Sequence, residues 1–174
     1  MTDEAPMALG VPPRKVLLSA HDPRWDELYR IEERRVREAI GHLVVDIQHF
    51  GSTSIPGIRA KPIIDMLVGL RRFEDGAALV APLTALGYDY VGTEMVPNDH
   101  LLGLGADRTH LLHGVLMDGY HWRRNLRFRD RLRAEPDLVR AYEALKIELA
   151  IRHADDRPGY TAAKKTFIDA IANS

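Results

Sequence analysis

Apolar positions recur along this chain in two rhythms, and the switches between them outline its elements. Asp22 can cap free N–H groups and Pro23 suits a first helical turn. After them Trp25, Leu28, Tyr29, Val36, Ala39 and Ile40 keep helical spacing, and Gly41 can stop the helix. Over residues 43–50 the rhythm becomes that of a β run, which ends at Gly51 and Ser52. A loop over 51–61 follows, carrying Gly51, Pro56 and Gly57. Residues 62–70 are then almost continuously apolar, as in a central strand covered on both faces, and only Asp65 interrupts them.

Residues 74–86 read as a helix ended by Gly87, with Pro82 as a kink or early stop. Short strands are expected near 88–92, 101–104 and 110–117. Three helical pieces follow, over 121–135, from Pro136 onward, and over 160–172, punctuated by Pro136 and the pair Pro158–Gly159. This order predicts an α/β (α+β) fold, a mixed β-sheet flanked by helices with a helical C-terminal part. No repeat or long linker divides the chain, so residues 19–174 are expected to form a single domain. Residues 1–18, with several prolines, read as a flexible N-terminal arm.

Composition narrows the partners. At 174 residues the chain can bury a core without disulfides or metals, and it has no cysteine for either a disulfide or a thiolate site. Basic and acidic side chains number 24 and 25, which removes any general electrostatic case for nucleic acid. No apolar run reaches the roughly 20 residues that cross a bilayer, and the N-terminus lacks the pattern of a secretory signal. A cytoplasmic protein with a small-molecule ligand is expected, with neither membrane nor nucleic acid as partner. The oligomeric state stays open.

The segment from His49 to Asp65 concentrates the chemistry. Gly51 permits close backbone approach, while Ser52 and Thr53 bring hydroxyls and N–H groups to a strand end, a sensible grip for phosphate. Asp65 is a carboxylate in an apolar strand and must meet a cation, a metal or hydrogen-bond donors, because burying it bare costs several kcal/mol or more by order of magnitude. The turn alone reads as an ordinary turn, and a structural Asp that caps backbone is the plainer account of Asp65. Both features together favour a site.

The stretch His49-Phe50-Gly51-Ser52-Thr53-Ser54-Ile55-Pro56-Gly57, followed by Lys61-Pro62-Ile63-Ile64-Asp65, resembles the signature of the GrpB family. Further matches are Thr109-His110 with His113, Phe128-Arg129-Asp130 with Leu132-Arg133, and Tyr160-Thr161 with Lys164. The resemblance runs over roughly residues 19–172. It implies a nucleotidyltransferase-like fold, and through that superfamily it raises Mg²⁺ as a cofactor with Asp65 as ligand. Family members also occur joined to dephospho-CoA kinase, which implies room for an accessory role there. The likeness does not fix an activity. This chain also departs from the superfamily pattern, in which two carboxylates on one strand face hold a metal pair. Positions i and i+2 share a face, yet Leu67 stands where the second carboxylate belongs and Ile63 lies on the other side. One carboxylate cannot hold two Mg²⁺ ions in the usual arrangement.

Helical-wheel geometry adds three charged residues on apolar faces. Arg129 falls among Trp122, Phe128 and Leu132, whereas Arg123, Arg124, Arg127 and Arg131 fall on the far, solvated side. Lys164 lies in the stripe of Tyr160, Phe167 and Ile171, and Glu32 in that of Trp25, Tyr29 and Val36. They form either a structural ion network with Asp65 or the wall of a polar cavity, in which Arg129, Lys164 and Lys61 bind an anion and Glu32 and Tyr160 support them. His110 and His113 face opposite sides of one strand, which disfavours a two-histidine metal site. His113 is the one expected near Asp65, sharing a metal or a proton with it, although a lone strand histidine is more often structural. His49 is placed to steady the Gly51 turn.

Two functions follow from this reading. One is an enzyme of nucleotidyltransferase-like fold acting on a nucleotide or other phosphorylated molecule, with Asp65 and His113 catalytic and Gly51, Ser52, Thr53, Lys61, Arg129 and Lys164 binding. The other is a non-catalytic ligand-binding or accessory module that kept the pocket and lost the metal pair. Leu67 favours the second, and the inward charges favour the first.

Overall fold

Helix α1 (Arg24–Ile40) opens where Asp22 accepts a hydrogen bond from the Arg24 N–H at 2.9 Å. The structure is a computed structural model and describes residues 8–174. Strands β1 (Asp46–Phe50), β2 (Ile64–Leu70), β3 (Tyr88–Gly92), β4 (His100–Leu104) and β5 (His110–Leu116) form one sheet in the order β1-β2-β5-β4-β3. β2 and β5 pair in parallel and the other neighbours are antiparallel. This is the mixed sheet that the chain order predicts.

Alternation along β2 sorts its side chains between two cores. Ile64, Met66, Val68 and Leu70 join Trp25, Val36, Ile40 and Leu83 beneath α1 and the short helix α2 (Val80–Ala85). Leu67 turns the other way, onto Val115 and Trp122 of helix α3 (Tyr120–Ala134), and a period of two puts Asp65 on that same face. Helices α4 (Pro136–Arg152) and α5 (Arg157–Ala172) pack with α3 through Phe128, Leu132, Tyr142 and Ile171. Their shared core also takes in Ile55 and Ile58 from the loop after β1. That loop is thereby pressed against the helical part, which positions the site described below.

Several expectations need correction. The segment expected as one helix over 74–86 is a 3₁₀ stretch, Phe73–Leu79, followed by α2. Pro82 lies in the first turn of α2, where a missing N–H costs nothing. The last helix begins at Arg157, before Tyr160, because Asp156 caps it by accepting from the Gly159 N–H at 3.0 Å. Of the expected arm, residues 1–7 lie outside the described residues, but residues 8–18 are tied down. The Gly10 N–H donates to the Pro62 carbonyl at 2.8 Å and the Val16 N–H to the Ala154 carbonyl at 2.9 Å, while Val11 and Val16 are buried. The Arg157 guanidinium also donates to the carbonyls of Val11 and Pro12. Partners so distant in sequence leave no local signal.

The arginines of α3 also differ from the expected solvated face. Arg124 pairs with Asp169 at 2.6 Å, and Arg127 and Arg131 donate to the carbonyls of Ala172 and Ile171. They pin the end of α5 to α3. Among the described residues, no helix is long and apolar enough to cross a membrane.

Candidate functional site

Asp65 stands in register with Phe50 of β1 and Leu111 of β5. The chain leaves β1 through Gly51, whose backbone (φ 72°, ψ −177°) lies in a region that is essentially reserved for glycine. A Cβ there would sit 2.4 Å from Asp65 Oδ2. The backbone thus passes directly over the carboxylate, and the 3₁₀ turn Ser52–Ser54 begins beside it. The Ser54 hydroxyl secures the turn by donating to the Gly51 carbonyl at 2.6 Å.

The neighbouring strand supplies an imidazole. His113 pairs in register with Leu67, and its Nε2 lies 4.0 Å from Asp65 Oδ1. Its other nitrogen, Nδ1, lies 2.6 Å from Asp99 Oδ2. Asp99 precedes β4 and is buried, and its remaining oxygen has no hydrogen-bond partner among the described residues. Contact with a carboxylate assigns the proton to Nδ1 and leaves Nε2 facing Asp65. Burial pulls the His113 pKa down, but the charge and hydrogen bond of Asp99, with Asp65 behind them, outweigh it and leave the pKa raised. Burial raises the Asp65 pKa, against the opposing pull of His113, Lys61 and Lys164. Asp99→Asn removes the largest raising influence and is expected to lower the His113 pKa, read by NMR titration of the imidazole. An unchanged titration would show that Asp99 does not set the state of His113.

Helices α4 and α5 close the group with two pairs at i, i+4 spacing, which places each pair on one face. Tyr160 and Lys164 come from α5, Tyr142 and Lys146 from α4. The Lys164 and Lys61 ammonium groups lie 4.3 and 5.3 Å from the centre of the Tyr160 ring, and that of Lys146 lies 4.9 Å from the Tyr142 ring. Burial depresses all three lysines. Lys61 falls to about 8 and Lys146 to about 7, while Lys164 is held well below the ordinary value by burial and by repulsion from Lys61 and Lys146. Lys146 donates to the Arg59 carbonyl. Among the described residues, the ammonium groups of Lys61 and Lys164 form neither a hydrogen bond nor a salt bridge; they lie over the Tyr160 ring and feel the Asp65 carboxylate. Burial pushes the Tyr142 phenol up, and Ser52, hydrogen-bonded to it, draws it partly back. Ser52, Asp65, His113, Lys61, Tyr160 and Lys164 are therefore brought together.

Other expected members are not. Glu32 lies on the opposite face of the sheet, where it accepts from the Tyr88 hydroxyl at 2.8 Å and pairs with Arg35. Arg129 reaches the sheet, but its guanidinium is committed to the Gln48 side chain at 2.9 Å, the His49 carbonyl at 2.8 Å and Asp130. It clamps the edge strand β1. The Thr53 hydroxyl is also internal, linking His49 Nε2 at 3.0 Å to the Ile63 carbonyl at 3.3 Å. His49, stacked on Tyr29 and lowered by burial to about 4, does steady the turn. Asp99, Tyr142 and Lys146 escaped the sequence reading. Lys146 was within reach of the wheel argument that found Lys164, since it shares a face with Tyr142 and Leu149. Asp99, in the turn before β4, gave no such sign.

The donor set does not fit a metal pair. Leu67 is fully buried among apolar side chains where a second carboxylate would be needed, and Asp99 is engaged by His113. No group of three or more His, Cys, Asp or Glu side chains among the described residues could hold a metal ion. A surface cleft between Arg14, Asp89, Met95 and Arg108 includes none of the grouped residues.

A model of the GrpB protein family matches residues 15–174. The chain belongs to the GrpB family. It is similar to the glutamate-rich protein GrpB of Alkalihalophilus pseudofirmus, with 37% identity over 171 residues, covering 95% of this chain and 98% of that one. It is also similar to the crystal structure of the conserved protein GrpB from Enterococcus faecalis, with a TM-score of 0.82 and 31% identity over 90% of this chain and 95% of that one. Terminal uridylyl transferase 4 from Trypanosoma brucei, solved with bound UTP and UMP, matches at a TM-score of 0.50 and 14% identity, over 77% of this chain and 44% of that one. At that identity the likeness concerns fold alone. The GrpB fold seen here is thus nucleotidyltransferase-like in its mixed sheet.

Proposed function

We propose that the space between the Asp65 face of the sheet and helices α4 and α5 binds a phosphorylated or otherwise anionic small molecule, nucleotides included. One observation carries this reading: three lysines from three elements converge there, and among the described residues Lys61 and Lys164 share Asp65 as the single carboxylate acting on them. Desolvated ammonium groups that outnumber the carboxylates acting on them are costly, and a bound anion would supply the missing charge. Ser52, at the start of the turn, adds a hydroxyl. His113, held by Asp99 and directed at Asp65, supplies a proton donor or acceptor at the same place, which suits catalysis on the bound molecule. Leu67 favours a second reading, a ligand-binding or accessory module without turnover, because the metal-holding pair is lost.

Calorimetry and thermal shift with nucleoside triphosphates, coenzyme A precursors and sugar phosphates test the proposal. Binding is expected for at least one phosphorylated class, weakened about ten-fold or more by Lys164→Met, the loss of one charge-assisted contact. Failure of every class to bind would refute it. With a ligand in hand, product formation abolished by His113→Gln would support the enzyme, and binding without turnover would support the module.

A further inference from the structure

We propose that Lys61, Lys146 and Lys164, with the Asp99-held His113, stand in for a divalent metal pair, so that this pocket grips a polyphosphate chain without Mg²⁺. The inference rests on the anion-binding reading above and deepens it. A metal pair on this sheet face needs two carboxylates two positions apart, and the second position is Leu67, sealed against Val115 and Trp122. The other nearby carboxylate, Asp99, is buried against the imidazole at 2.6 Å. The same region is instead lined by cations. Lys61 arrives from the loop before β2, Lys146 from α4 and Lys164 from α5. Tyr160 has both Lys61 and Lys164 over its ring, and Tyr142 has Lys146.

Three features turn this from a gap in a metal site into a site of another kind. A ring face attracts an ammonium group without using up its N–H donors, so Lys61 and Lys164 keep theirs for oxygen atoms. Cations brought in from three separate elements match charge spread along a chain better than one compact anion. A further divalent cation beside Asp65 would meet these ammonium groups and the imidazole at close quarters, and like charges repel strongly where water is scarce. Burial depresses the three lysines, and mutual repulsion adds to it at Lys146 and Lys164, while Asp65 is raised by burial against the pull of the surrounding cations.

The test is isothermal titration of the full chain with inorganic tripolyphosphate, in EDTA and in excess Mg²⁺, for the native protein, Lys61→Met and Lys164→Met. Methionine keeps the length of the side chain, and circular dichroism checks that each variant folds. One-to-one binding in EDTA is expected, weakened about ten-fold or more in each variant and no tighter when Mg²⁺ is added. Binding that appears only with Mg²⁺ would overturn the metal-free proposal and leave the anion pocket standing. Binding in EDTA that both variants retain at full strength would place it elsewhere and overturn the proposal too. No binding of tripolyphosphate under either condition would overturn it, while the wider ligand panel decides separately whether the pocket takes any anion.

Discussion

Gly51→Ala is expected to destabilise the protein by about 2–4 kcal/mol and to abolish ligand binding at the Asp65 pocket, through strain and overpacking together. Two effects act at one atom. An alanine would have to hold φ near 72° with ψ near −177°, and its Cβ would fall 2.4 Å from Asp65 Oδ2 and 3.1 Å from Asp65 Cβ. Oδ2 can swing aside by side-chain rotation, at the cost of its present place in the site, but Asp65 Cβ is fixed by the β2 backbone, so the turn has to lift. Lifting it separates Ser52 from Asp65 and Tyr142. Gly57→Ala is the matched control, since Gly57 has a similar φ of 80° but open space on the side where a Cβ would point, with no atom within 4 Å. It should cost only about 1 kcal/mol, the backbone penalty alone, and leave binding intact. Urea unfolding of the two variants gives the comparison. Equal losses would show that the close approach of Gly51 to Asp65 has no energetic consequence.

That close approach explains what could and could not be read from residues alone. The elements were legible because each carries its own period: Trp25 to Ile40 at helical spacing, the continuous run into Leu70, the glycine stop at Gly87. Asp65 stood out because an apolar strand has no use for a bare carboxylate, and Gly51 and Ser52 because they end the preceding strand. Lys164 was legible from the wheel, and its place in the group agrees with that. The same reasoning misjudged Glu32 and Arg129, since a wheel gives the face of a helix but not which side of the sheet that helix covers or what backbone lies beneath it. Glu32 meets Tyr88 across the first core, and Arg129 meets the His49 carbonyl at the sheet edge. Asp99 was invisible for a different reason. Its partner His113 lies on the next strand, and only the β4–β5 register brings the two together.

Lys146→Met is expected to raise stability at neutral pH by on the order of 2 kcal/mol while weakening anion binding, so that the two properties move in opposite directions. Lys146 is 1% exposed and its ammonium has one hydrogen bond, to the Arg59 carbonyl. Losing that bond costs about 1 kcal/mol, less than the penalty of holding a buried cation beside Lys61, with Glu143 as the compensating carboxylate. The groups that face it, Tyr142, Lys61 and Lys164, add no negative charge at neutral pH. Linkage gives the sign of the pH dependence. The folded pKa of about 7 lies below the ordinary 10.5, so between those values the unfolded chain binds the extra proton and stability rises with pH. The native protein should therefore gain stability from about pH 7 towards pH 10, with Lys61 and Lys164 contributing in the same direction. The methionine variant should show a shallower rise, and its advantage should be largest near pH 7 and shrink as pH increases. Thermal unfolding of both proteins across this range, alongside tripolyphosphate titration at about pH 7, separates the accounts. A variant less stable than the native protein at about pH 7 would show that Lys146 is there to hold Arg59 and the loop, and that its charge is not kept for a ligand.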